Sequence, residues 1–128
     1  MESQLPEYFV LDEHYARYRP VGDSTLSATV EAIDRTIEFC RLTGVNGLLI
    51  DITAVTGFPP PSTTERFHFI TKWSATARGQ VVISMLAPPE MIDQDKIGIT
   101  MASNRGLTSE VFPTEPEAIA WLLRQLGK

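Results

Sequence analysis

One cysteine, two histidines and too few basic residues set the first limits on this 128-residue chain. A lone thiol, Cys40, permits no intramolecular disulfide and no multi-cysteine zinc site. His14 and His68 lack His-x-x-x-His spacing, so no metal centre is expected and both read as surface or boundary residues, His14 on a strand and His68 on a helix. Lys and Arg number 11 against 16 Asp and Glu, a net charge of −5. Nucleic-acid backbones are neutralised by clustered Lys and Arg, so this balance argues against a nucleic-acid partner. Apolar runs reach only strand length, far short of the ~20 residues of a membrane span. The opening Met-Glu-Ser-Gln-Leu-Pro-Glu has no basic start and no apolar core, and so does not read as a signal peptide. A cytoplasmic protein is expected, and an unpaired thiol agrees with a reducing compartment. No Walker or dinucleotide glycine loop is present. Ser84 lies inside a strand without Gly-x-Ser-x-Gly around it. No cofactor is expected.

What is present is enough apolar residue to fold. At 43% hydrophobic the chain reads as one domain over 1–128. A chain of this size buries roughly two-thirds of its unfolded surface, so it needs no cross-links.

Tyr8–Leu11 and His14–Arg19 read as a β-hairpin ended by Pro20 and Gly22. Asp23, Ser24 and Thr25 supply N-cap residues for a helix whose apolar stripe is Leu26, Val30, Ile33, Ile37 and Cys40, with Gly44 as its stop. Residues 47–52 and 80–86 are short and almost wholly apolar, as in strands covered on both faces. Between them lies Thr53–Pro61, a loop holding Gly57 and three consecutive prolines. Ser62 and Glu65 have capping-box spacing, and Phe67, Ile70 and Trp73 give the next helix an apolar face. A third helix is predicted over about Glu90–Asn104, with Met91, Ile92, Ile97, Ile99 and Met101 apolar and Gly98 allowing close packing. Glu110–Phe112 reads as a strand. Thr114 and Glu117 form a second capping box, Pro116 sits in the first turn, and Ala118–Leu126 is amphipathic.

The order is β-β-α-β-α-β-α-β-α. It predicts an α/β layered domain with a mixed, mostly parallel five-stranded sheet flanked by helices. Ligands of such sheets gather beyond the carboxyl ends of the parallel strands. Three connections form that edge, and Asp51–Ser62 is the longest.

The stretch Gly-Leu-Leu-Ile-Asp-Ile-Thr (47–53), a loop and a Ser/Thr-capped helix resemble the middle of STAS-type domains, in particular the SpoIIAA-like branch. Met-Ala-Ser-Asn-Arg-Gly (101–106) and Val-Phe (111–112) leading to Ala-Ile-Ala-Trp-Leu-Leu (118–123) extend the resemblance over nearly the whole chain. It implies a small α/β domain without a cofactor, acting through protein contacts or a bound small molecule. In anti-sigma-factor antagonists of the wider STAS group, a strand-end Asp precedes an Asp-Ser-Ser-Gly-like helix start whose Ser is phosphorylated. Asp51 matches the former, and Ser62, Thr63 and Thr64 match the latter in position. The motif itself is absent, and Pro59-Pro60-Pro61 stands where it would begin.

Each candidate has a bland reading beside its functional one. Ser62 is a phosphorylation candidate, because a helix N-terminus favours an added dianion, but it also simply caps its helix. Asp51 is a binding candidate or a structural acceptor of loop N–H groups. Cys40 continues a core stripe. Phe58 and the prolines form either a stiff connector or a rigid apolar lip. Phe69 lies roughly 200° from Phe67 around the helix, so Phe67, Phe69 and Trp73 cannot share one narrow face and one is expected at a surface. Residues 62–79 carry Arg66, Lys72 and Arg78 against Glu65, a net +2 that leaves −7 for the rest. An acidic partner or anionic ligand would approach there.

The expected binding set is Asp51, Thr53, Phe58, Ser62, Thr63, Arg66 and Trp73, with no catalytic or metal-ligating residue. The leading expectation is a non-enzymatic regulatory interaction or small-ligand-binding domain with a protein, apolar or anionic partner. The alternative is a carrier or sensor of a lipid-like ligand, by fold analogy. A small enzyme using Asp51 with Ser62 or Thr63 lacks an activating base. A homodimer is the expected assembly, since dimers are the commonest small oligomers.

Overall fold

A computed structural model describes residues 5–93 and 97–128. Strands β1 (Phe9–Leu11) and β2 (Ala16–Tyr18) form the predicted antiparallel hairpin. Its turn takes in His14, which is exposed there and not on a strand. A two-residue strand β3 (Gly22–Asp23) follows, then helix α1 (Leu26–Thr43), β4 (Gly47–Asp51), a second two-residue strand β5 (Val55–Thr56) and α2 (Thr63–Ala77). The chain continues through β6 (Val82–Leu86), a 3₁₀ turn at Pro89–Met91, α3 (Ile97–Asn104), β7 (Ser109–Phe112) and α4 (Glu115–Gln125).

The main sheet has the order β1-β2-β4-β6-β7, antiparallel only at β1–β2. This is the mixed, mostly parallel five-stranded sheet that the element order predicts. Every residue of β4 is buried, which is why its sequence does not alternate. Leu48 and Ile50 face one core with Ile33, Ile37 and Cys40 of α1 and Ile70 and Trp73 of α2. Leu49 faces the other, with Ala118 and Leu122 of α4. On that second face the buried Ser84 hydroxyl donates to the Ala118 carbonyl at 2.8 Å, and Arg17 pairs with Glu115 at 2.7 Å.

The helix ends follow local chemistry. Thr25 caps α1 by accepting from Ala28 N–H, and Gly44 ends it at φ 80°. Both bonds of the Ser62–Glu65 capping box are present. The second box differs from expectation. The Thr114 hydroxyl donates directly to the Glu117 carboxylate at 2.6 Å and caps no backbone N–H.

The long third helix is also corrected. Its first part is the 3₁₀ turn, broken at Ile92, whose backbone is extended. The Met91 carbonyl accepts from the Arg66 guanidinium. Residues 94–96 and the side chains at 97–99 lie outside the described residues, and with them the packing expected at Gly98. Residues 1–4, with most of the leader reading, lie outside as well.

Cys40 is buried in the first core, and desolvation pushes its thiol from an ordinary 9.0 up to about 12. Native protein at pH 8 is therefore expected to resist a thiol reagent until denaturant is added; rapid stoichiometric labelling of folded protein would contradict this. A raised folded-state value keeps the stabilising contribution intact below 9 and removes it as pH climbs toward 12.

Candidate functional site

The Asp51–Ser62 connection leaves the carboxyl end of β4 and is braced immediately. Within it, β5 pairs in parallel with β3, aligning Val55 with Gly22 and Thr56 with Asp23. The amides of Gly22 and Ser24 donate to the carbonyls of Ala54 and Thr56 at 3.0 and 2.7 Å. This small ribbon has no periodic signature in the sequence, because two residues cannot show one. Gly57 follows at φ 115°, where a Cβ would lie 2.2 Å from the Ser24 carbonyl oxygen. The chain then runs through Phe58 and the three prolines to the Ser62 cap.

Beneath this lip lies a cavity of about 110 Å³ between α1, α2 and the sheet. Phe58 and Pro61 of the connection line it, as do Val30 and Ile33 of α1. Phe69 and Trp73 of α2 form a further part of the wall, their rings 4.6 Å apart. Met85 of β6 and Val111 of β7 complete an overwhelmingly apolar lining. The exceptions that carry charge are Arg66, Asp93 and Glu110. Arg66 is half-buried, and its guanidinium donates to the carbonyls of Pro61 and Met91 at 3.2 and 3.3 Å.

The expected binding residues divide into two groups. Phe58, Arg66 and Trp73 converge on this cavity. Asp51, Thr53, Ser62 and Thr63 stand outside its wall. Asp51 is buried and fully engaged: Arg19 donates to one carboxylate oxygen at 3.0 Å, and the Thr53 amide and hydroxyl donate to the other at 2.9 and 2.6 Å. Its side chain is 5% exposed against 52% for Arg19. The parallel register that sets Tyr18 opposite Ile50 carries Arg19 to Asp51, so this partner is found only once the strands are paired. Ser62, Thr63 and Thr64 are exposed at the start of α2.

The three α2 aromatics also separate. Trp73 is 5% exposed and its indole N–H donates to the Val30 carbonyl at 3.2 Å. Phe67 is 41% exposed, with the Arg105 guanidinium 4.5 Å over its ring. The basic character of α2 is partly neutralised, since Lys72 pairs with Glu31 of α1 at 2.7 Å. That contact lowers the Glu31 carboxyl and raises the Lys72 amine. The sequence reading missed the lining from Val30, Met85 and Val111, which reads there simply as core.

Among the described residues no His, Cys, Asp and Glu cluster forms a metal site, and no helix is long and apolar enough to cross a membrane. No family model matches the chain, and no curated protein matches it. Among solved structures, it is similar to an anti-sigma factor antagonist from Mycobacterium paratuberculosis. The TM-score is 0.54 at 14% identity, over 89% of this chain and 90% of that one. The likeness establishes the fold: this is the STAS-type architecture implied by residues 47–53 and 101–123.

Proposed function

We propose that the chain is a non-catalytic regulatory domain of the cytoplasm that works by binding, through the Asp51–Ser62 connection and the first turns of α2. The observation that carries this is the Phe58–Pro61 lip. It is apolar, stiffened by consecutive prolines, braced by the β3–β5 ribbon, and it walls a cavity at the carboxyl edge of the sheet. Phe67 and Arg105 extend the same region outward as an exposed aromatic and cation. The anti-sigma factor antagonist fold supports a protein partner. Catalysis has little to work with, because the Asp51 oxygens are committed to Arg19 and Thr53, and among the described residues no base is hydrogen-bonded to the Ser62 or Thr63 hydroxyl. If the domain is switched by a kinase, Ser62 is the position for the phosphate, exposed at the α2 N-terminus.

A second reading, a sensor of an apolar ligand, is favoured by the cavity itself. Pull-downs from native extract with Phe58→Ala and Phe67→Ala test the first. Both variants are expected to lose partners while remaining folded, Phe67→Ala with a native melting profile and Phe58→Ala with a modestly lowered one. Unchanged partners from folded variants would sink the protein-contact form, and native mass spectrometry reports a retained ligand.

A further inference from the structure

We infer that the cavity takes a small monocarboxylic acid with a compact apolar body, its carboxylate held by Arg66. This rests on the sensor reading above and names the ligand class. The size of the site decides the body. An engineered apolar cavity of about 150 Å³ accepts one benzene, so about 110 Å³ takes at most a single small ring or a short alkyl chain and excludes a two-chain lipid. The walls decide its character, since Phe58, Phe69, Trp73, Met85 and Val111 offer carbon and sulfur.

The head group follows from Arg66. Of a guanidinium's five N–H donors, the Pro61 and Met91 carbonyls take two and fix its plane. Neither carbonyl neutralises the charge, and among the described residues Arg66 makes no ion pair. A half-buried guanidinium with donors left over binds a carboxylate through two parallel N–H···O bonds. Asp93 and Glu110 share the cavity lining, and each already has an interaction of its own within the protein. Their negative charge disfavours a dianion such as a phosphate monoester and leaves a single carboxylate as the better match.

The test uses the full chain with benzoate and hexanoate as acids and toluene as the neutral probe of the cavity. Binding is read by tryptophan fluorescence in a Trp121→Phe background, which leaves Trp73 as the reporter, and by melting temperature. Both acids are expected to bind, and Arg66→Gln to weaken them about tenfold or more while leaving toluene unchanged. Arg66→Lys, which keeps charge and loses the fork, should recover part of the loss and replaces the Gln variant if that one fails to fold. Phenyl phosphate should bind more weakly than benzoate. Toluene binding with no preference for the acids, or acid binding indifferent to Arg66, overturns the inference and spares the sensor reading. If none of the probes binds, both fall.

Discussion

A Gly57→Ala protein is expected to be less stable by about 3 kcal/mol, combining positive-φ strain with overpacking. For a domain of this size that is a fall of roughly 10 °C in melting temperature. The new Cβ would meet the Ser24 carbonyl oxygen at 2.2 Å and the Ser24 nitrogen at 2.8 Å. Both are backbone atoms of the residue that follows β3, and neither yields without separating β3 from β5. The site-specific readout is hydrogen exchange at Gly22 and Ser24, whose bonds to Ala54 and Thr56 should open first. Gly47→Ala is the control. Its Cβ would lie 2.6 Å from the Leu126 Cδ1, the tip of a flexible side chain near the chain end, so the loss should be clearly smaller. A Gly57→Ala protein melting with the wild type would show that the ribbon does not brace the lip.

Trp73→Ala is expected to cost about 4 kcal/mol, the scale for deleting a large buried aromatic. The indole packs against Phe69 with the rings tilted by 35°, donates to Val30 and lines the cavity, so its removal leaves a void that two helices must collapse to fill. Trp73→Phe keeps most of the ring contact and loses the indole bond, and should cost nearer 1 kcal/mol. Urea unfolding of the pair separates packing from hydrogen bonding. Equal stability of Trp73→Ala and wild type would remove Trp73 from the core and from the cavity wall. Phe67→Ala, by contrast, should move the midpoint far less, because Phe67 is already 41% exposed.

The contrast between Phe67 and Trp73 marks how far the sequence could be read. Helical geometry showed that Phe67, Phe69 and Trp73 could not share one face, but not which of them turned to solvent. That depends on where α1 and β6 pack. Asp51 was legible as a strand-end carboxylate, while its partner Arg19 lies 32 residues away and meets it only through strand register. Ser62 was fully legible, since a capping box is made of residues three apart. The same spacing at Thr114 and Glu117 predicts a box that does not form, because the hydroxyl and carboxylate bond each other directly.

The sequence by itself determined the hairpin, the stripe of α1, the covered strands β4 and β6, the start of α2 and the layered order of the sheet. These depend on periodicity and on contacts within a few residues, where the pattern is the cause. Tertiary structure alone decided the β3–β5 ribbon, the break at Ile92 and the cavity. A two-residue strand exists only against its partner. The break puts the Met91 carbonyl on Arg66, 25 residues away. The cavity is a space bounded by two helices, a lip and the sheet, and no segment holds it alone. Arg66 shows the division most plainly: in the sequence it is one charge on a mildly basic helix, and in the fold it is a guanidinium on an apolar wall.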